Sequence, residues 1–240
     1  MKRKIELDSD TNFRRKNSSF FQDQNMEIPL PIEDWGCIDY EEALARQINE
    51  VEKISTQELA GKIIFCSHPA VVTTGRATQT SDIFEWKGPI IQVSRGGRAT
   101  YHGPEQIVIY PLVNLKFPRK GRGVQDIAGL MRDLEESIVV SLQEIGIISI
   151  GKSFQKDRTQ ENHLTGVWVE EKKVASLGLA VRKWVSFHGA AINFEITETS
   201  FQGIRPCGFN SQIMTSISDQ VLVSRIQLEN ILKRNTQKFL

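Results

Sequence analysis

The sequence predicts an α+β fold, a mixed sheet of the α/β type flanked by helices. Two long stretches show the helical recurrence of apolar residues, and several short runs rich in β-branched residues are bounded by turn formers. The two kinds of segment do not alternate regularly as in a doubly wound domain, which favours a mixed sheet.

Residues 1–25 are dense in Lys, Arg, Asp, Asn and Ser without apolar periodicity, and read as a polar extension. Its basic clusters, Lys2-Arg3-Lys4 and Arg14-Arg15-Lys16, read as a solvated tail. Residues 26–240 read as one domain. Asp39, with Glu42 three residues on, resembles a helix cap, and Leu44, Ile48 and Val51 mark one face of the helix that follows. A strand is expected at 62–66 and an apolar segment at 89–94, then a glycine-rich loop from Arg95 and a buried strand at 106–115. Ile127, Met131, Leu134, Ile138 and Leu142 form the longest amphipathic stripe, ended by Gly146 as a left-handed cap. Residues 166–169 and 173–181 should pair around the turn Glu170-Glu171-Lys172, with 185–194 continuing the sheet. A last helix is expected over 219–234, carrying Val221, Leu222, Leu228, Ile231 and Leu232.

A chain of 240 residues with 40% hydrophobic content can bury a substantial core. Its 30 Lys and Arg nearly balance 29 Asp and Glu, so no global field draws it to nucleic acid or an anionic membrane. No run approaches the roughly 20 apolar residues that span a bilayer, and the N-terminus lacks a signal-peptide core, so a cytoplasmic protein is expected. Three cysteines without a C-x-x-C pair fit neither a disulfide framework nor a thiolate zinc site, and no metal is expected. Cys66, beside Ile63-Ile64-Phe65, reads as a small buried hydrophobe; Cys37 is read the same way, and His163 as an ordinary structural residue.

The chemistry concentrates in Arg95-Gly96-Gly97-Arg98-Ala99-Thr100-Tyr101-His102-Gly103-Pro104. Paired glycines let the main chain approach a ligand, while Arg, Thr, Tyr and His supply donors to a polar head or a thioester carbonyl. Taken alone, the segment is either a substrate cradle or a tight turn. It is not a nucleotide-phosphate loop, because G-x-x-x-x-G-K-[ST] is absent.

Continued by Gln106 and Tyr110, this segment resembles the signature of the lipoyl(octanoyl) transferase family. Further blocks follow in family order over about residues 35 to 215. Ser67-His68-Pro69 and Gly75-Arg76 are similar to upstream elements, Lys173-Val174-Ala175-Ser176-Leu177-Gly178 to the catalytic-lysine segment, Phe187-His188-Gly189-Ala190-Ala191-Ile192-Asn193 to the next strand, and Pro206-Cys207-Gly208 to the nucleophile turn. Ser67, Glu105 and Thr165 depart from the pattern beside the reactive residues and bear on substrate fit.

The resemblance implies the fold of biotin and lipoate protein ligases and an acyltransferase domain. It implies that Cys207 takes an octanoyl group from acyl carrier protein as a thioester. The group then passes to a lysine of a lipoyl domain, on the E2 subunit of a 2-oxoacid dehydrogenase or the glycine-cleavage H protein, the first step of endogenous lipoylation. A thiolate suits such transfer because it attacks a thioester and leaves with comparable ease. By resemblance Lys173 forms a dyad with Cys207, and Arg95 to His102, Ser176 to Gly178 and His188 to Ala191 bind substrate, with main-chain N–H groups available to an oxyanion. Neither ATP nor another cofactor is implied, since the thioester carries the activation. An ATP-dependent lipoate or biotin ligase and a cysteine hydrolase are the alternatives.

Overall fold

The computed structural model describes residues 29–153, 164–197 and 199–240. The N-terminal extension, its basic clusters and His163 lie outside the described residues.

The strands are β1 (Ile32–Cys37), β2 (Gly61–Ser67), β3 (Val71–Thr74), β4 (Ile90–Gln92), β5 (Thr100–His102), β6 (Gln106–Val113), β7 (Ile150–Gly151), β8 (Gly166–Val169), β9 (Lys172–Arg182) and β10 (Val185–Asn193). Seven form one sheet in the order β1-β2-β6-β10-β9-β8-β7, parallel only between β1 and β2. A small sheet, β4-β3-β5, stands apart. Helices α1 (Tyr40–Thr56), α2 (Ile127–Glu144) and α3 (Arg225–Phe239) complete the fold.

Side chains alternate across a strand, so each central strand serves two cores. Ile63 and Phe65 of β2, with Ile107 and Ile109 of β6, meet Leu130, Leu134, Ile138 and Leu142 of α2 and Leu228 and Leu232 of α3. Ile64, Cys66, Val108, Tyr110 and Leu112 turn to the opposite face and pack against Ala43, Val51 and Ile54 of α1. The sheet is thus sandwiched between α1 and the α2–α3 pair.

Asp39 caps α1, its carboxylate accepting the N–H groups of Glu41 and Glu42 at 2.9 and 3.2 Å. Glu42 pairs with Arg46 one turn on. The inward face carries Ala43, Gln47, Val51 and Ile54, while Leu44 and Ile48 are only partly covered. Gly146 takes the left-handed conformation expected after α2, at φ 85°.

Three expectations are corrected. The last helix starts at Arg225: Ser224 accepts the Gln227 N–H and caps it, while Asp219 binds the Ser216 N–H at 2.9 Å in a separate turn. Leu222, before that cap, is fully exposed. Residues 100–102, expected as loop, pair with β3 as β5. Cys37 is exposed at the end of edge strand β1, whereas Cys66 is buried, and burial pushes its thiol well above the usual range.

Candidate active site

A break between two central strands opens a cavity. The β10 ladder to β6 covers Ala190 to Asn193 and stops there. His188 adopts φ 57°, a left-handed conformation unusual for a strand residue, and its N–H turns to the Gln47 side chain of α1 at 2.8 Å. Across the gap, β6 carries Pro111, which has no N–H to offer a ladder. The Ser186 hydroxyl bridges instead, accepting from Val113 N–H at 2.9 Å and donating to the Pro111 carbonyl at 2.6 Å. Gly189 is required at this point, because a Cβ there would lie 1.9 Å from the Ile109 carbonyl oxygen.

The cavity of about 200 Å³ is walled by the loop at Arg95–Arg98, by the small residues Ser176, Gly178, Gly189, Ala190 and Ala191, and by Met131 of α2. Tyr40, His102, Tyr110 and His188 line it as well. Cys207 lines it while retaining partial exposure. Among its wall residues, Val108, Met131, Leu177, Leu179 and Ala190 offer apolar surface to an aliphatic chain.

Cys207 occupies the short 3₁₀ turn Pro206–Gly208 at φ 56°, and its N–H donates to the Ala99 carbonyl at 2.9 Å. Beneath the turn lies an ion pair. Asp82, fully buried, takes Arg98 Nε at 2.9 Å and a further contact from the same guanidinium, while its own carbonyl accepts the Arg205 N–H at 2.7 Å. The hydrogen bond to Asp82 holds Arg98 above the ordinary arginine range, with the field of Cys207 adding to it. Gly208 packs so closely that a Cβ would fall on the Arg98 guanidinium.

Arg95 is a buried cation held by oxygen dipoles: Gly96 and Arg98 carbonyls on one nitrogen, Thr73 carbonyl and hydroxyl on the other, at 2.8–3.0 Å. Burial lowers its pKa, and Cys207 and the phenols of Tyr40 and Tyr110 act against the shift.

The three described histidines, His68, His102 and His188, are all held below the ordinary imidazole range. Burial, reinforced by Arg95, pushes His188 down to about 4, and both of its ring nitrogens are buried without a partner. Burial likewise holds His102 well below the usual range, helped by His68, Arg95 and His188. Its Nε2 sits 3.4 Å from the Thr73 hydroxyl, and its Nδ1 is unpartnered. Behind it, His68 bonds the Ile38 carbonyl through Nδ1, which must therefore carry the hydrogen; Nε2 accepts from the Tyr110 hydroxyl at 2.7 Å.

Lys173 is fully buried at the start of β9, its Nζ donating to the Thr165 carbonyl at 2.9 Å and lying 5.2 Å from the centre of the Trp168 ring. Thr165 is itself a cavity-wall residue, so the ammonium is anchored on a residue of that wall. The neighbouring Lys172 is exposed.

Of the sequence candidates, Arg95 to Arg98, Thr100, His102, Ser176 to Gly178, His188 to Ala191 and Cys207 line one cavity. Ala99 and Tyr101 do not: both enter a satellite core with Phe201 and Ile204, and Ala99 serves through its carbonyl on Cys207. The expected oxyanion donors at 176–178 and 189–191 face each other across the β9–β10 ladder, while β8 pairs with β9 only as far as Ser176 and β6 with β10 only from Ala190 on. Glu105 turns away, accepting from the Ser200 hydroxyl at 2.7 Å. Tyr40, Met131 and Gln47 were not anticipated at the site; an isolated sequence offers no signal for Gln47 beyond a polar residue on an otherwise apolar helix face.

The model of the lipoyl protein ligase A/B catalytic domain matches residues 38–240. The fold agrees: lipoate-protein ligase A bound with ATP superposes with a TM-score of 0.65 at 17% identity, covering 89% of this chain and 85% of that one. A bi-partite lipoate protein ligase from Thermoplasma acidophilum gives 0.63 at 16% identity, covering 89% and 84%. Fold and site thus define a catalytic domain of the lipoyl ligase class. Among curated relatives, an octanoyltransferase of Bdellovibrio bacteriovorus is 50% identical over 191 residues, 78% of this chain and 87% of that protein. One from a Marinomonas strain is 36% identical over 208 residues, 85% and 90% of the two chains. The chain belongs to the octanoyltransferase family and is an acyltransferase.

Proposed function

We propose that the protein transfers octanoyl from acyl carrier protein to a lysine of lipoate-dependent proteins through a thioester on Cys207. The observation that carries the reading is Cys207 itself: a partly exposed thiol in a left-handed turn, lining one cavity with Arg95 and Arg98.

In the first half-step the Cys207 thiolate attacks the octanoyl thioester carbonyl, and the carrier thiolate leaves and takes up a proton. In the second, the ε-amine of a lipoyl-domain or H-protein lysine attacks the acyl-enzyme, the amide forms, and Cys207 leaves as thiolate while the amine loses a proton. Lys173 acts with Cys207 in both, favouring the thiolate and handling these protons. The cavity takes the acyl chain, and Met131 and the small residues of β9 and β10 define its bore. His102 and His188, neutral and incompletely bonded, offer donors to the acyl head without adding charge.

The thioester supplies the activation, so the reaction proceeds without ATP or metal. The cytoplasm suits it, because the nucleophile must remain a free thiol. No described helix is long and apolar enough to cross a membrane.

Intact-mass spectrometry of wild type and Cys207→Ser with octanoyl-acyl carrier protein, before and after adding a lipoyl domain and without ATP, tests the reading. A hydroxylamine-labile octanoyl adduct should form on wild type alone and move to the domain lysine. Transfer only from free octanoate with ATP would establish a ligase, and release of free octanoate in place of amide a hydrolase.

A further inference from the structure

Trp168, fully buried on β8, takes no part in the acyl-transfer steps above. Side chains alternate along the strand, and Val167 and Val169 enter the core that α2 and α3 cover, so Trp168 turns to the other face. Lys173 meets it there because of an irregularity. The register of β8 on β9 runs from Val167 opposite Ala175 to Trp168 opposite Lys173, which leaves Val174 as the extra residue of a bulge. Val174 and Ala175 both pack into the core beside Val167, and Lys173 becomes the direct cross-strand neighbour of Trp168.

Three contacts converge on the indole. The Lys173 ammonium lies 5.2 Å from the ring centre, within reach of a cation–π attraction. The indole N–H donates to the Leu164 carbonyl at 2.7 Å, one residue before the Thr165 carbonyl that accepts from the same ammonium at 2.9 Å. Phe209, two residues beyond Cys207, meets the ring almost perpendicularly, at 88° with centroids 6.1 Å apart. One side chain thus touches the lysine, the backbone that seats it and the segment leaving the nucleophile turn. The ring also suits the charge. A buried ammonium is costly unless it is compensated, and an aromatic face compensates it without accepting its proton. Lys152 Nζ, 4.4 Å from the same ring centre, marks the indole as a platform for cations.

We infer that Trp168 is a positioning residue for Lys173 and Cys207: its ring holds the ammonium in place, while its N–H and its contact with Phe209 tie that place to the nucleophile turn. The inference rests on the reading of Lys173 and Cys207 given above.

The test is the single-turnover rate constant for Cys207 acylation by octanoyl-acyl carrier protein in wild type, Trp168→Phe, Trp168→Leu and Lys173→Met. A second series replaces Trp168 site-specifically by mono-, di- and trifluorotryptophan, which draw charge from the ring face at nearly constant shape. Trp168→Leu should lower the rate constant about tenfold to a hundredfold, the scale of misplacing a reacting group by about an ångström. Trp168→Phe, which keeps a ring face but not the N–H, should recover part of that loss. Along the fluorinated series the rate constant should fall stepwise, at least about threefold by the trifluoro form, with the burst amplitude at its wild-type value. The same series combined with Lys173→Met should be flat. A merely structural role would lower the amplitude without following the fluorine count, and that result overturns the inference. So does an equal loss in Trp168→Phe and Trp168→Leu, or a stepwise fall that survives Lys173→Met. Should Trp168→Leu fail to fold, the fluorinated series decides. Wild-type acylation by Lys173→Met would remove the earlier reading and this one together; loss in Lys173→Met with a flat fluorinated series removes this one alone.

Discussion

Replacing Asp82 by Asn should loosen the nucleophile turn and destabilise the fold together. The Asp82 carboxylate is fully buried and accepts two guanidinium contacts from Arg98 and the Gln79 N–H at 2.9 Å. The Arg98 side chain is 12% exposed, so water cannot replace the lost partner fully. Removing one member of a buried pair costs about 3–5 kcal/mol, and because Asn retains one acceptor oxygen the lower end, about 3 kcal/mol, is expected. For a chain of this length each kcal/mol moves the melting temperature by about 2–4 °C, so the variant should melt about 6–12 °C below wild type. Thermal melts of Asp82→Asn, Arg98→Met and the double variant close a cycle. The double variant should be less destabilised than the sum of the singles by at least about 1 kcal/mol, since it leaves no unpaired cation. Because Gly208 packs on Arg98 and Arg205 is anchored to the Asp82 carbonyl, Cys207 acylation in the folded Asp82→Asn protein should slow at least about tenfold. Additive single variants, or acylation at the wild-type rate, would refute the link between this pair and the nucleophile.

Two further outcomes follow from the cavity wall. His188 has its folded pKa depressed to about 4 against 6.5 in the unfolded chain, so its contribution is complete above pH 6.5 and is lost as pH falls toward 4. Urea titrations across that window should show about 3 kcal/mol less pH-dependence in His188→Gln than in wild type, and equal slopes would show that the ring is not held neutral. Gly189→Ala should lose at least about 2 kcal/mol, because the new methyl meets the Ile109 carbonyl and Pro111 ring with no flexible group to yield. Gly123→Ala, where the added methyl meets nothing, should stay within about 0.5 kcal/mol of wild type in the same denaturation assay.

The parts of the site that the sequence revealed are those whose chemistry is local. A Gly-Gly pair between arginines, or a cysteine framed by Pro and Gly, states its backbone demands within a few residues. Likewise the stripe of Leu134, Ile138 and Leu142 announces α2 because helical period and burial act on the same positions. Where two local signals compete, the reading slips: Asp219 ahead of Val221 and Leu222 imitates a helix start, yet Asp219 serves the Ser216 turn and Ser224 begins α3. The features that create the cavity are of another kind. Nothing near His188 demands a left-handed backbone, for the partner of its N–H is Gln47, 141 residues away, and the gap it opens lies opposite Pro111. A proline in a central strand argues against the strand when β6 is read alone. Beside a strand that has left the ladder it is tolerated, and Ser186 supplies from its side chain what the backbone of β10 no longer provides. The two irregularities are therefore complementary: each removes the cost of the other, and together they make room for a ligand in a sheet that regular pairing would have closed.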